Sequence, residues 1–279
     1  MIDPADALRQ KVARALEEDL GTGDVTSEAT VPEEARARAR VVQKQPGVVY
    51  GLEVVAETMR QCGADDVDNL VVEGQWREHV PAEVLLASGP ARALLAAERT
   101  ALNFLGHLSG VATLTSRYAE AVEGTGASIL DTRKTTPSQR WLEKAAVAAG
   151  GGINHRMGLY DAILIKENHV AAAGGIANAI RAARAANPGV FLDCEVESLD
   201  ELRAAIEAGA DRVLLDEFTD AMLREAVALA AGRVPLEVSG SVDLARVRAI
   251  AETGVDCISI GALTKHVRAI DLSMRFDNR

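Results

Sequence analysis

Residues 190–218 read VFLDCEVESLDELRAAIEAGADRVLLDEF and span one complete strand–helix–strand unit. The apolar stretches VFLDCEVE and RVLLDEF predict two strands. The segment LDELRAAIEAGA between them has helical periodicity, with a glycine near its end. Two neighbouring strands that are joined through a helix run in parallel, because a parallel pair needs a crossover connection. This stretch therefore predicts a parallel sheet.

The same unit recurs through the second half of the chain. Six apolar stretches predict strands: ASILDT, DAILIK, VFLDCEVE, RVLLDEF, VPLEVSG and CISIG. Helical segments rich in alanine separate them, such as GIANAIRAARAA, DAMLREAVALAA and DLARVRAIAETG. Strands that are apolar on both faces fit a sheet with helices outside and a filled interior. We therefore expect a complete or incomplete β/α barrel. A doubly wound sheet is the alternative, although no GxGxxG follows the first strand.

The first half of the chain predicts a different arrangement. Residues 6–20 carry apolar side chains at helical spacing. Residues 36–95 contain short valine-rich stretches broken by glycine and proline, which predict a small sheet with one helix near LEVVAETMRQCG. A long helix is expected at about residues 93–121. We expect an N-terminal domain of residues 1–108 and a barrel domain of residues 109–279, with the last ~10 residues free to pack back on the first domain.

Composition argues against a nucleic-acid-binding protein. The chain has 279 residues, a net charge of −11 and a pI of about 5.0, and aromatic residues make up 3% of it. It therefore lacks the basic face and the stacking aromatic side chains of such proteins. The alternating arginines of EEARARARV are expected on a solvated edge or helix face.

Cellular location and redox state are also suggested by the sequence. The N-terminal residues lack the apolar segment of a signal peptide. No apolar run reaches the roughly 18 residues of a membrane span. Cys62, Cys194 and Cys257 show no CxxC spacing, which favours free thiols over a disulfide framework or a zinc site. We expect a cytoplasmic protein without membrane contact.

Chemistry in a β/α barrel takes place where the strands end. Here the predicted strands end in polar residues: Asp131, Thr132, Arg133 and Lys134; Lys166; Glu195 and Glu197; Asp216 and Glu217; Glu237, Ser239, Gly240 and Ser241; Ser259 and Gly261. One polar strand end needs no special explanation. However, the residue type changes along the chain. Cations follow the first two strands, carboxylates follow the next two, and serine or glycine follows the last two. This pattern indicates a functional end of the barrel.

Each of these groups has a chemical use. The cations Arg133, Lys134, His155, Arg156 and Lys166 would form a positive pocket. Burying them together is costly unless an anion neutralises them, so they favour a polyanionic substrate. Arginine forks suit carboxylates and phosphates. Ion pairs with neighbouring acids are the alternative.

The acids and the small residues also allow two interpretations each. Glu195 and Asp216 could hold Mg²⁺ or ribose hydroxyls, or they could cap helices and form salt bridges. Serine and glycine after the last two strands could aim backbone N–H groups at a phosphate, or form ordinary turns.

The segment GGGINHRMGLYDAILIKENH, residues 150–169, joins several of these features. Its three glycines allow a sharp turn or a close approach of the backbone to a substrate, and Gly150 also fits a helix C-cap. His169 either supports the site from behind or packs within its loop.

Several motifs occur in a fixed order: DLGTGDVT, ERTALNFLGHLSGVAT, DTRKTTP, GGGINHRMGLYDAILIKENH, EVE, LLDEF, EVSGS and ISIGALT. In this order they closely resemble the quinolinate phosphoribosyltransferase family, and the resemblance covers essentially the whole chain. It implies an N-terminal α/β sandwich domain and a C-terminal incomplete β/α barrel. It also implies a homodimer or a higher oligomer with active sites at the subunit interface. The implied reaction joins quinolinate to the ribose of phosphoribosyl pyrophosphate (PRPP) with Mg²⁺, releasing pyrophosphate and CO₂.

The resemblance assigns roles to individual residues. It places Thr132, Arg133, His155, Arg156 and Lys166 in the quinolinate pocket, with Arg99 supplied by the neighbouring subunit. It places Lys134, Glu195, Asp216, Ser239, Gly240, Ser241 and Gly261 around PRPP and its phosphates. Catalytic roles fall on Lys134, Lys166, Glu195 and Asp216, and the two acids would meet Mg²⁺ mainly through PRPP.

Two departures from the family pattern stand out. The helix before the glycines reads LEKAAVAAGGG, where relatives often carry a bulkier or charged residue among the alanines. The phosphate loop reads SGSV rather than SGGI, although Ser241 keeps its backbone N–H.

Two other functions remain open at this point. A lysine at a strand end, here Lys166, is also what a Schiff-base aldolase needs. A barrel that only binds a phosphorylated metabolite is the other possibility, although it would have little use for both Glu195 and Asp216.

Overall fold

The computed structural model describes residues 3–277. The chain divides into two units, one formed by residues up to Leu114 together with those from Val267 onward, the other by Thr115–His266. The boundary between the units lies after Leu114, within the long helix Ala91–Ala121, whereas the sequence predicted a boundary at residue 108. Within the described residues, no helix is both long enough and apolar enough to cross a membrane.

The first unit is built on an antiparallel four-stranded sheet. Its elements are α1 (Pro4–Leu20), α2 (Val25–Thr30), β1 (Arg36–Gln43), β2 (Gly47–Val48), α3 (Leu52–Cys62), β3 (Asp66–Asn69), β4 (Trp76–Arg77), β5 (Ala82–Pro90), most of α4 (Ala91–Ala121) and the last strand, β12 (Leu272–Phe276). The strand order is β12–β1–β5–β3, and each neighbouring pair is antiparallel. Strands β2 and β4 form a separate pair.

One apolar core joins the sheet to its helices. Val41 of β1 and Leu85 of β5 are buried in the same cluster as Val55 of α3 and as Leu94 and Leu105 of α4. Their removal from water stabilises the layer contact, at about 25 cal/mol for each Å² of apolar surface. This sheet with helices on one face is the α/β sandwich that was expected.

The arginine-rich segment EEARARARV lies differently from the expectation. It enters β1, which pairs with β12 on one side and β5 on the other, so it is an interior strand rather than an edge or a helix face. Arg36 and Arg38 are exposed, whereas Ala39 and Val41 are buried. The alternation places Arg36 and Arg38 toward solvent, and the strand that covers this edge belongs to the last residues, which were expected to be able to pack back on the first domain.

Two glycines of α4 let the chain return to the first unit. A Cβ atom on Gly110 would lie 2.9 Å from Val267 Cγ1 and 3.1 Å from the carbonyl carbon of Arg268, and one on Gly106 would lie 3.0 Å from the carbonyl oxygen of Ile270. The Ile270 N–H donates to the carbonyl of Gly106 at 3.0 Å. The segment that leads to β12 therefore lies directly on the helix backbone, which only glycine allows.

The second unit contains the six predicted strands. Its elements are β6 (Ser128–Leu130), α5 (Arg140–Ala149), β7 (Ile163–Ile165), α6 (Glu167–Ala173), α7 (Ile176–Ala186), β8 (Leu192–Val196), α8 (Leu199–Ala208), β9 (Arg212–Asp216), α9 (Asp220–Ala230), β10 (Leu236–Ser239), α10 (Val247–Ala251), β11 (Cys257–Ser259) and α11 (Ala262–Lys265). All six predicted strands are confirmed. Helix α5 and the glycine turn explain the long interval between the first two.

Strand order distinguishes a barrel from a doubly wound sheet. Strands β7 to β11 lie side by side in chain order, and β6 pairs with β11, so the first strand meets the last. All these pairs are parallel. On its other side, β6 meets Ile153 through a parallel bridge to Leu130. A doubly wound sheet would reverse its strand order near the middle. The second unit is therefore the expected incomplete β/α barrel.

Replacing Gly110 by valine should destabilise the first unit, because the added atoms collide with the backbone of Arg268. Overpacking of this kind costs about 1–3 kcal/mol. Urea unfolding would measure the loss, with Asn103→Val as the matched control, since Asn103 is exposed on the same helix. Equal effects of the two substitutions would show that the close approach at Gly110 contributes nothing to stability.

Candidate active site

The carboxyl ends of the barrel strands surround one cavity of about 340 Å³. It is lined by Thr132, Arg133, Lys134, His155, Arg156, Leu164, Lys166, Glu195, Leu214, Glu237, Ser239 and Ser259. Ten of these side chains come from strands or from the segments that directly follow them, and His155 and Arg156 follow the bridge at Ile153, as expected for a barrel of this kind. We call this space the cation-lined cavity.

The loop after β6 is fixed from several sides. Thr132 Oγ1 accepts a hydrogen bond from the Lys134 N–H at 3.1 Å, and Thr264 Oγ1 of α11 donates to the Lys134 carbonyl at 2.9 Å. Glu143 of α5 accepts from the Thr136 N–H at 3.1 Å. These bonds hold the two ends of the loop that presents Arg133 and Lys134.

Arg140 joins this loop to the next one. Its Nε donates to Thr135 Oγ1 at 3.0 Å, and its Nη2 donates to the Arg133 carbonyl at 3.3 Å. Its Nη1 donates to the Met157 carbonyl at 3.0 Å. One guanidinium therefore ties together the loops that carry Arg133 and Arg156, which makes use of the several donors in its rigid fork.

A fully buried ion pair holds the segment after the glycines. Lys144 of α5 is paired with Asp131 at the end of β6, and both side chains are at most 1% exposed. Asp131 also accepts from the His155 N–H at 2.8 Å and from Asn154 Nδ2 at 2.9 Å, while Lys144 donates to the His155 carbonyl at 2.8 Å. The backbone of His155 is thus bound through both its N–H and its carbonyl.

Burial dominates the electrostatics of this pair. It raises the pKa of Asp131, although Lys144 and the bond from His155 oppose the rise. It lowers the pKa of Lys144, although Asp131 opposes that shift. Such pairs contribute little net stability, but removing one partner leaves a buried charge without compensation.

The three glycines before this segment form a helix end and a tight turn. Gly150 is the C-cap of α5, and its N–H donates to the carbonyl of Ala146. Gly151 has a φ of +88°, a conformation that favours glycine. A Cβ atom on Gly152 would lie 2.7 Å from Val147 Cγ1. The glycines therefore allow the chain to fold tightly against α5.

His155 lies at the floor of the cation-lined cavity with both ring nitrogens in contact with protein groups. Its Nδ1 lies 2.7 Å from the Arg156 backbone nitrogen and accepts from that N–H. Its Nε2 lies 3.4 Å from Asp193 Oδ2 and 3.4 Å from Glu237 Oε2. Burial lowers the pKa of His155, but the attraction of the two neighbouring carboxylates outweighs burial and raises this pKa to about 9. Because Nδ1 accepts the Arg156 N–H, Nε2 is the nitrogen that faces the two carboxylates.

Three of the predicted cations are not in direct contact with an acid of the described residues. Among the described residues, the side chains of Arg133, Lys134 and Arg156 form no ion pair within 4.0 Å. Arg156 donates only to the carbonyl of Ala162, at 3.0 Å. Burial, and next the neighbouring Arg133, lower the pKa of the Arg156 guanidinium. Two like charges held side by side in a cavity are what an anionic ligand would stabilise.

Lys166 and Glu195 form an ion pair at the rim. The lysine side chain is 43% exposed and the carboxylate 9% exposed. Burial raises the pKa of Glu195, Lys166 opposes the rise, and Asp216 adds to it. His169 Nδ1 accepts from the Lys166 N–H at 3.0 Å, so His169 supports the backbone of Lys166.

The remaining predicted residues lie around the last strands. Asp216 accepts from Ser239 Oγ at 2.6 Å, which links β9 to β10. A Cβ atom on Gly261 would lie 3.0 Å from Lys134 Cδ, so this glycine leaves room for the lysine. Gly240 has a φ of +123°, and Ser241 is exposed in the same loop. Asp216, Gly240, Ser241 and Gly261 border the cavity residues without lining the cavity themselves.

Arg99 is the one predicted site residue outside the second unit. It lies on α4 in the first unit, where it is exposed. Its predicted role in a neighbouring subunit stays a prediction.

Sequence reasoning gave no role to six residues that build the site: Arg140, Lys144, Asn154, Asp193, Arg212 and Glu237. A signal was present for part of this set. Asp193 and Glu237 each stand at the second position of an otherwise largely apolar strand, and charged residues are rarely fully buried unless they are paired. Lys144 follows the same rule on the buried face of α5.

One group of possible metal ligands occurs among the described residues. Ligand atoms of His155, Asp193 and Glu237 lie within 4.8 Å of one another. Arg212 Nη2, however, lies 2.7 Å from Asp193 Oδ2 and 2.8 Å from Glu237 Oε2. A fixed guanidinium already supplies the positive charge there, so these residues do not fit a metal ion. Glu195 and Asp216 fit Mg²⁺ better, because they offer carboxylate oxygens at the open end of the barrel.

Comparison with known proteins gives consistent results along the chain. Two family models match: quinolinate phosphoribosyl transferase, N-terminal domain, over residues 24–109, and quinolinate phosphoribosyl transferase, C-terminal domain, over residues 111–275. A nicotinate-nucleotide pyrophosphorylase [carboxylating] from Mycobacterium leprae is 43% identical over 275 residues, covering 96% of this chain and 97% of the relative. A probable enzyme of the same name from Bacillus subtilis is 40% identical, covering 92% of this chain and 89% of the relative.

Solved structures agree with these matches. The nicotinate-nucleotide pyrophosphorylase from Francisella tularensis superposes with a TM-score of 0.95 at 41% identity, covering 99% of this chain and 98% of that one. NadC from Streptococcus pyogenes superposes with a TM-score of 0.93 at 35% identity, covering 100% and 99%. Human nicotinic acid phosphoribosyltransferase, at 14% identity and a TM-score of 0.61, shares the fold.

Replacing Lys144 by methionine should strongly destabilise the second unit. It leaves Asp131 buried and unpaired, at a cost of about 3–5 kcal/mol. Adding Asp131→Asn to the same chain should recover part of the loss, because the unpaired charge is then removed. Denaturant unfolding of both variants measures this, with exposed Lys265→Met as the control. A Lys144→Met protein as stable as the control would refute the role assigned to the buried pair.

Proposed function

Since the chain belongs to the quinolinate phosphoribosyltransferase family and is therefore a phosphoribosyltransferase of NAD biosynthesis, we propose that it transfers the phosphoribosyl group of PRPP to quinolinate with Mg²⁺. The products are nicotinate mononucleotide, pyrophosphate and CO₂. The observation that carries this proposal is the set of three cations, Arg133, Lys134 and Arg156, which face one cavity without an acidic partner among the described residues.

Quinolinate fits this cavity in charge and in shape. It carries two carboxylates, which would compensate the paired positive charges of Arg133 and Arg156. Leu164 and Leu214 offer apolar side chains in the same lining, where a planar pyridine ring can pack. Thr132 adds a hydroxyl group at the same end.

PRPP is assigned to the side of the cavity formed by the last strands. Lys134 lies against Gly261, and Ser239 lines the cavity beside the exposed Gly240–Ser241 loop. Backbone N–H groups of such loops commonly bind phosphate in β/α barrels. Lys166 and Lys134 would contact the pyrophosphate and the ribose.

Glu195 and Asp216 would hold Mg²⁺, directly or through the oxygens of PRPP. Each has one carboxylate oxygen engaged, with Lys166 and with Ser239 respectively, and one further oxygen to offer. When bound, Mg²⁺ would neutralise negative charge that develops on the departing pyrophosphate.

The chain's own residues would then act by position and charge. The pyridine nitrogen attacks the anomeric carbon of ribose as pyrophosphate leaves, and the lysines stabilise the growing negative charge. A carboxylate, here Glu195 or Asp216, offsets the positive charge that the ribose gains. No protein nucleophile is needed. Once the ring nitrogen is cationic, the adjacent carboxylate is lost more readily, and Arg133 and Arg156 have only to hold the ring in place.

The assembly is part of the same proposal. A homodimer, or a higher oligomer, would bring Arg99 of one subunit to the cavity of its neighbour, where a further cation would suit a dianion. We place the enzyme in the cytoplasm, where PRPP and quinolinate would meet it.

Lys166 argues against a Schiff-base aldolase. Its side chain is held in an ion pair with Glu195, whereas a Schiff base needs a lysine nitrogen that is free to attack a carbonyl group. A barrel that only binds a metabolite is disfavoured by the relatives, which are named as enzymes over almost the full length of the chain.

Incubation with quinolinate, PRPP and Mg²⁺ should yield nicotinate mononucleotide, and nicotinate in a parallel reaction should yield none. Chromatography of both reactions measures this. Omission of Mg²⁺ with a chelator should abolish the product. Product from nicotinate alone would mean that the cavity does not select a dianion and would overturn the proposal.

Replacing Arg133 by alanine should weaken quinolinate binding by more than about 2 kcal/mol, because a substrate carboxylate loses a charged partner. This corresponds to a rise of about 30-fold in the dissociation constant, which calorimetry can measure. Arg203→Ala, an exposed arginine on α8, is the matched control. An unchanged dissociation constant in Arg133→Ala would remove this residue from the quinolinate pocket.

A further inference from the structure

Charged side chains fill part of the barrel interior beneath the cation-lined cavity. Asp193 of β8 and Glu237 of β10 are both 0% exposed, and Arg212 begins the strand between them. Branched apolar side chains usually occupy such positions. Replacing a buried ionic group by apolar residues is often neutral or stabilising, so packing alone gives no reason for these three residues.

Their contacts form one connected group. Arg212 donates through Nε and Nη2 to Asp193 Oδ2, at 2.9 and 2.7 Å. The same Nη2 lies 2.8 Å from Glu237 Oε2. Its guanidinium also lies 5.3 Å from the ring centroid of Phe191. The arginine is therefore held from three sides.

The group carries two carboxylates against one guanidinium, which leaves one negative charge in excess. Among the described residues, both oxygens of Glu237 and Oδ1 of Asp193 make no hydrogen bond. His155 is the next polar group, with Nε2 3.4 Å from each carboxylate and 2.9 Å from Arg212 Nη2. Glu237 also belongs to the lining of the cavity. The excess charge therefore faces the imidazole and the floor of the site.

His155 connects this charged group to Arg156. Its Nε2 lies between Asp193, Glu237 and Arg212, and its Nδ1 accepts the Arg156 N–H at 2.7 Å. The histidine thus determines where the backbone of Arg156 begins, and with it where the guanidinium lies.

We propose that Asp193, Arg212 and Glu237 are positioning residues, which fix the His155 ring so that it holds Arg156 in place for the substrate. The proposal rests on the proposed function, because it takes a quinolinate carboxylate as the ligand of Arg156. It gives His155 a positioning role in addition to its predicted place in the quinolinate pocket.

Glu237→Gln tests the proposal by removing the excess charge while keeping the shape of the side chain. Arg212→Lys is the second variant, since it keeps the positive charge but loses the fork that binds Asp193. Val238→Ala is the matched control. Val238 is the next residue on the same strand, it is equally buried, and its side chain faces away from the barrel interior.

Both test variants should raise the KM and the dissociation constant for quinolinate by about 10-fold or more, with little change in the KM for PRPP. Amide hydrogen exchange at Arg156, followed by NMR, should accelerate in both variants. The control should lower the melting temperature and leave these values within about 2-fold of the wild type. A loss of stability alone would not raise the KM for quinolinate while leaving the KM for PRPP unchanged.

The exchange measurement separates the two hypotheses. If the wild type does not bind quinolinate, the proposed function is wrong, and exchange at Arg156 still decides whether the network positions this residue. Unchanged exchange and unchanged quinolinate affinity in folded Glu237→Gln or Arg212→Lys would overturn the proposal.

Discussion

The buried ion pair of Asp131 and Lys144 is the interaction on which the site depends. Asp131 ends β6, Lys144 lies on α5, and between them they bind Asn154 and both backbone groups of His155. Within residues 3–277, the segment after the glycines is joined to β6 by the single bridge at Ile153, so it has few hydrogen bonds to a regular sheet. The ion pair replaces the ladder of hydrogen bonds that a further strand would supply. An incomplete barrel can therefore present a rigid histidine and arginine at its open side.

The polar interior of the barrel has an energetic cost that its function explains. An apolar interior would be simpler to stabilise, since ionised groups lose hydration when they are buried. The catalytic end, however, must hold like charges close together before the substrate arrives. Arg140, Lys144 and Arg212 meet this need by binding backbone carbonyls and acids behind the cavity, which leaves Arg133 and Arg156 free to face it. Fixed charges of this kind are already oriented when a substrate binds, so little reorganisation remains.

Much of this organisation could be predicted from the sequence, because the signals were local. Apolar stretches ending in polar residues predicted the six strands and many, but not all, of the residues that line the cavity. The supporting residues are harder to find, since their partners are distant in the chain. Lys144 and Asp131 are 13 residues apart, and His155 and Glu237 meet only because β6 and β10 belong to one barrel. Distance along the chain also explains the wrong expectation for the arginine-rich β1, because the strand that pairs with its edge lies more than two hundred residues later.

The return of the chain to its first unit affects the order in which the protein can form. The barrel is one continuous stretch, so a ribosome releases all of it before residues 272–276 emerge. Until then, β1 has an unpaired edge, and an unpaired edge can add strands from other chains. The sheet of the first unit is therefore completed only after the whole barrel has been synthesised. During synthesis, the exposed edge of β1 is the part of the chain most prone to aggregation, although β1 is made before the barrel.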